Sequence, residues 1–197
     1  MVDISEPIEF AGLQVRNRIV LPPMVRNLAT EDGEVTEKLI EHYAARSRGG
    51  VGLIIVEAAA VMWEHRIMRR NIAIHDDRFI PGLKKLSDRI NEYGARSFIQ
   101  INHSGPKSHD AKRYVGPSAI PVMKNKTPEP LAVEEIDYIC KRFVDAARRA
   151  KVAGFDGVEI HGAHFYLLSA FLSSYTNRRI DEYGGSTKNK AKFAVDV

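Results

Sequence analysis

The chain has 197 residues, 44% apolar and 27% charged, with 29 basic residues against 25 acidic ones. This composition excludes a disordered, collagen-like or coiled-coil polypeptide, and a small, scattered net charge of +4 is weak evidence for nucleic acid, so no nucleic-acid partner is expected. A single cysteine, Cys140, rules out an internal disulfide framework or a cysteine-built metal cluster within these residues and suits a reducing compartment.

The opening MVDISEPIEF is acidic where a signal peptide needs a basic stretch and an apolar run, so a cytoplasmic chain is expected. Asn17 to Leu21 (NRIVL) reads as a short strand stopped by Pro22 and Pro23. Thr36 to Arg48 places Leu39, Ile40, Tyr43 and Ala44 at helical spacing, with Thr36 as cap and Gly49-Gly50 as stop. Val51 to Val56 is continuously apolar, as for a strand covered on both faces. The wider run VGLIIVEAAAVMW is too short to span a bilayer and carries Glu57, so no membrane partner is expected. A helix follows over Arg78 to Tyr93, then a third strand (Ala95 to Asn102), a long helix (Glu134 to Ala153) and a fourth strand (Phe155 to Ile160). Strand then helix, four times over, implies an α/β fold with a parallel sheet. The Pro- and Gly-rich stretch 104–130 breaks that rhythm and reads as a long loop inserted in a single domain, 1–197.

Ligands of parallel α/β folds gather at the carboxyl ends of the strands. Four segments sit there: Pro22 to Arg26, Glu57 to Ala59, Gln100 to His103, and Glu159 to Tyr166. In the last, a helix is expected from about Phe165, since Leu167, Leu168, Phe171 and Leu172 fall at helical spacing. On one continuous helix Tyr166 would point away from His161 and His164. The three converge only if the chain turns first, and Gly162 permits a turn. Two imidazoles and a phenol would then offer neutral donors to an anionic oxygen and a weak acid for proton delivery. The plain alternative makes the histidines satisfied structural groups and Tyr166 a core residue. A metal reading through His161, His164, Glu159 and His103 is open by ligand type, but the spacing matches no recognised zinc motif. Gln100 offers an amide suited to the edge of a pyrimidine-like ring, or to neighbouring backbone.

With these residues in view, the chain resembles the Old Yellow Enzyme family of FMN-dependent oxidoreductases, which are (β/α)8 TIM barrels. The resemblance rests on NRIVLPPM (17–24), VEAAAV (56–61), QINHSG (100–105) and above all HGAHFYLLSAFLSSYTNRRIDEYGGS (161–186). It implies that Pro23, Met24 and Val25 line the flavin ring, that Ala58 sits beside it and that Gln100 bonds its pyrimidine edge. His161 and His164 would grip a substrate oxygen and Tyr166 would donate a proton. The implied reaction is reduction of an activated C=C bond at the expense of NADH or NADPH, with hydride from flavin N5. Val25 stands where relatives often carry Thr or Cys, and Phe165 where many carry Gly. A whole barrel takes about 250 residues, so about the first four βα units are expected here. Completion by a C-terminal half or by a homo-oligomer is expected too, with any iron–sulfur cluster outside this region. The rivals are a non-catalytic half-barrel that binds no flavin alone and a metal-assisted hydrolase on the same scaffold.

Overall fold

The computed structural model describes residues 3–197. It begins with an antiparallel hairpin absent from the sequence reading, β1 (Ile8–Phe10) and β2 (Leu13–Val15). Ala11 and Gly12 turn it, both with positive φ, as a two-residue hairpin turn matching the strand twist requires. Only Val20–Leu21 of the expected first strand pairs, as β3. Before it, Asn17 leaves the ladder: its side chain donates to Gly50 O and accepts from Ile19 N.

Helix α1 (Glu37–Arg48) starts where the cap residue predicts, since Thr36 Oγ1 accepts from Leu39 N at 3.2 Å. Strand β4 (Leu53–Ala60) runs four residues past the expected end at Val56. A bulge between Val56 and Ala59 shifts the register against β5 by one residue and the pairing resumes, so Ala58 lies inside the strand and not beyond it. Helix α2 (Ile80–Glu92) is entered through a 3-10 turn, Asp77–Phe79, capped by Asp76. Next come β5 (Arg96–Asn102), the two-residue strands β6 (Val115–Gly116) and β7 (Glu129–Pro130), and α3 (Val133–Val152). Strand β8 (Gly157–Ile160), α4 (Leu167–Leu172) and α5 (Thr187–Asp196) complete the chain.

The main sheet is fully parallel in the order β3-β4-β5-β8. Ile54, Val56, Ile99 and Ile101 join Leu83, Leu86 and Ile90 of α2 and Ile136 and Phe143 of α3 in one core. The alternate residues Ile55, Phe98 and Val158 are only half-buried. One face is therefore packed under helices and the other is open, as in a barrel wall seen without the opposite wall. The hairpin lies at the amino ends of the strands: Arg96 donates to Gln14 O, and Phe10 meets Phe98 edge-on at 6.3 Å. The carboxyl ends stay open.

Segment 104–130 is not a free loop. β6 and β7 pair within it, and Ser104, Gly105, Pro106, Ser108, Val115 and Pro128 are buried. Its prolines and glycines break helix and strand periodicity without preventing packing. No helix among the described residues is long and apolar enough to cross a membrane.

Candidate active site at the carboxyl ends of the strands

His161 is the first residue beyond β8, yet its N–H still bonds Ile101 O at 3.1 Å, so the sheet fixes where its ring starts. The reversal that follows is made at His164 and Phe165, with φ of +59° and +57°. Gly162, the expected turn residue, has no positive φ. Two successive non-glycine residues in the left-handed region are costly, about 1–2 kcal/mol each. Two backbone bonds hold them in place: Tyr166 N to Ala163 O at 3.1 Å and Leu167 N to His103 O at 3.0 Å. Helix α4 consequently begins at Leu167, two residues later than the periodicity suggested, with Tyr166 as an extended residue ahead of it.

This turn brings three rings together. Ring centroids lie 5.3 Å apart for His161 and His164, 4.8 Å for His161 and Tyr166, and 6.2 Å for His164 and Tyr166, all near perpendicular. The hydrogen bonds assign the protons. Ala163 N–H donates to His161 Nδ1 at 3.2 Å, so neutral His161 carries its proton on Nε2. That proton faces His164 Nδ1 at 3.4 Å, which leaves His164 with its proton on Nε2. At 3.4 Å the contact between them is weak and readily exchanged. Burial, and secondly the neighbouring His164, press the His161 pKa down to about 4, so His161 is neutral at pH 7. Burial pushes the Tyr166 phenol above its ordinary value, so it too keeps its proton.

Lys107 belongs to this group and was not singled out from sequence. Its Nζ lies 5.2 Å from the centre of the Tyr166 ring and donates to His164 O at 3.1 Å. Nothing local marks it, since its approach depends on the fold of a segment read as a loop.

Gln100 and Glu159 are register partners on β5 and β8, and Gln100 Nε2 donates to Glu159 Oε1 at 2.6 Å. This orients the amide and leaves its carbonyl and second N–H for another group. Pro23 and Val25 are half-buried and Met24 is 53% exposed, an uncovered apolar ledge beyond β3. Ala58 is buried and its carbonyl accepts from Asn71. Glu57 anchors the ledge: its buried carboxylate accepts from Arg26 N at 3.0 Å and from the Tyr43 hydroxyl at 3.3 Å. Among the described residues no three His, Cys, Asp or Glu side chains are grouped to hold a metal ion, and His103 stacks on His65 instead.

Comparison with known proteins places the chain in a family. The chain is 44% identical over 192 residues to an NADH oxidase of Thermoanaerobacter brockii, covering 94% of this chain and 30% of that one. It is 44% identical over 196 residues to an NADPH dehydrogenase of Geobacillus sp. (strain WCH70), covering 98% and 58%. The structure of an Old Yellow Enzyme homologue from Zymomonas mobilis superposes with a TM-score of 0.91 at 31% identity, covering 99% of this chain and 58% of that one. The chain thus spans less than two thirds of the length of these relatives, and its four parallel strands form part of a TIM barrel. Residues 3–197 match the family model described as NADH:flavin oxidoreductase / NADH oxidase, and the chain belongs to that family.

Proposed function

We propose that the complete protein is an FMN-dependent, NAD(P)H-driven reductase of activated C=C bonds, and that His161, His164 and Tyr166 handle its substrate. The convergence of these three rings across the strained turn carries this reading.

The strand ends suit a flavin. Pro23 to Val25 offer an uncovered apolar ledge, Ala58 is too small to obstruct a flat ring, and the Gln100 amide retains a donor and an acceptor for its pyrimidine edge. When bound, FMN would supply a hydride from N5 to the β-carbon of the alkene.

The remaining work falls to the chain. His164 Nε2–H is a free donor, and His161 Nε2–H gives up only a long contact to turn toward a substrate carbonyl or nitro oxygen. Two donors held ahead of time stabilise the negative charge that develops on that oxygen. Because His161 is uncharged, the pair binds the oxygen without surrendering a proton to it. The Tyr166 phenol, protonated at neutral pH, delivers the proton to the α-carbon.

Tyr166→Phe in the complete protein tests the assignment. Oxidation of the reduced flavin by an enone should fall by about 10²-fold or more, with flavin reduction by NAD(P)H unaffected. An unchanged enone rate would remove Tyr166 as the acid. His161→Ala with His164→Ala should weaken phenol binding to the oxidised flavin, read from its visible absorption.

A further inference from the structure

A proton delivered by Tyr166 leaves a negative charge on its own ring. Burial already presses this phenol toward the neutral form, so the phenolate is costly unless a cation stands near it. The imidazoles of His161 and His164, with ring centres 4.8 and 6.2 Å away, serve the substrate oxygen. Another group must meet the charge on Tyr166.

Lys107 is placed to do so. It closes a short 3-10 turn, Gly105–Lys107, that follows β5, and its backbone N–H bonds Ser104 O at 3.0 Å. Gly105, with φ of +54°, lies so close to α4 that a Cβ added there would sit 2.9 Å from Leu167 Cβ. The turn is therefore packed against the residue next to Tyr166, and the base of the lysine is fixed relative to the phenol ring. Two contacts then hold its head. Nζ donates to His164 O at 3.1 Å and lies 5.2 Å from the centre of the Tyr166 ring, over its face.

Among the described residues Lys107 forms no ion pair, so no carboxylate neutralises this charge locally. An ammonium over an aromatic face is attracted to the neutral ring, and more strongly to a phenolate, whose charge spreads over that same ring. Lysine and tyrosine are both half-buried, where water screens such a pair less than on an open surface. The field of this cation reaches the neighbouring rings: after burial and His164, Lys107 is a further cause of the low His161 pKa.

We propose that Lys107 is a positioning residue for the proton transfer, its ammonium held over the ring by His164 O and stabilising the phenolate that Tyr166 becomes. In that step the Tyr166 O–H bond breaks, a C–H bond forms at the substrate α-carbon from the electron pair of the enolate, and solvent later returns a proton to the phenolate. The role rests on Tyr166 being the acid.

The test is a double-mutant cycle in the complete, flavin-loaded protein, following oxidation of the reduced flavin by an enone. Lys107→Gln keeps a donor for His164 O but removes the charge. It should lower the limiting rate by about threefold to tenfold with the half-saturating enone concentration little changed, and it should cost nothing further in Tyr166→Phe. Lys107→Arg, which keeps the charge, should retain most of the rate. A second readout needs no turnover: with 3-fluorotyrosine incorporated, the Tyr166 resonance, identified by its loss in Tyr166→Phe, should titrate about one pH unit higher in Lys107→Gln. Equal losses from Lys107→Gln with and without Tyr166, a loss in Lys107→Arg as large as in Lys107→Gln, or an unmoved phenol titration would overturn the role of Lys107 alone. An enone rate unchanged in Tyr166→Phe is a different result, and would overturn the acid assignment and this role with it.

Discussion

Glu57 is an acid buried inside the sheet with one oxygen satisfied and the other not. Oε2 takes the Arg26 amide and the Tyr43 hydroxyl, whereas Oε1 has no partner. Desolvation outweighs those bonds and lifts the pKa from 4.5 to about 7. Between these values the folded chain binds more protons than the unfolded one, so stability must fall as pH rises from about 4.5 to about 7, then level off. The shift of some 2.5 units corresponds to about 3 kcal/mol at 1.36 kcal/mol per unit. Glu57→Gln removes the titration. Its amide introduces donors at a site with no acceptor, an offset of about 1–3 kcal/mol, but that offset does not depend on pH. The stability of the variant relative to the native chain should therefore rise by about 2–3 kcal/mol from pH 5 to pH 8, as other titrating groups cancel in the difference. Urea denaturation across that range measures it. Parallel stability curves would show that Glu57 is ionised in the fold and that the burial argument is wrong.

The strained turn predicts an inverted order of substitutions: Phe165→Gly should be more stable than Phe165→Ala by about 1 kcal/mol, because glycine adopts φ of +57° without the Cβ clash that alanine meets. Equal thermal midpoints would contradict that backbone geometry. Gly105→Ala would set a Cβ 2.9 Å from Leu167 Cβ at a φ of +54°, so a loss of about 2–3 kcal/mol is expected in denaturant unfolding, and a loss below about 0.5 would refute the close packing. His161, with its folded pKa depressed to about 4 from 6.5, contributes stability that is present above pH 6.5 and lost as pH falls toward 4. An NMR titration of its ring with a midpoint near 6.5 would remove the desolvation on which its neutrality depends.

The elements most legible in the sequence were those whose local signals and packing agree. Thr36 caps α1 and α2 buries Leu83, Leu86 and Ile90, so propensity, periodicity and burial coincide. The parallel order followed because continuous apolar strands alternate with amphipathic helices. What escaped was set by partners distant in the chain. The β1–β2 hairpin has strands of three residues, too short for an alternation to register, and it is held by contacts such as that of Arg96 with Gln14. The far half of β4 looked like a terminus because Glu57 interrupts its apolar run, yet the strand continues with one oxygen of that carboxylate bonded by Arg26 N and the Tyr43 hydroxyl.

The site obeys the same division. The identities of His161, His164 and Tyr166 could be read locally, but their meeting could not, because it requires a turn that side-chain propensity opposes. Glycine at 162 was the natural hinge to expect. The left-handed residues are instead His164 and Phe165, held because Leu167 N is tied to His103 O beyond β5. A backbone bond between distant segments, and not a local motif, brings these three rings together.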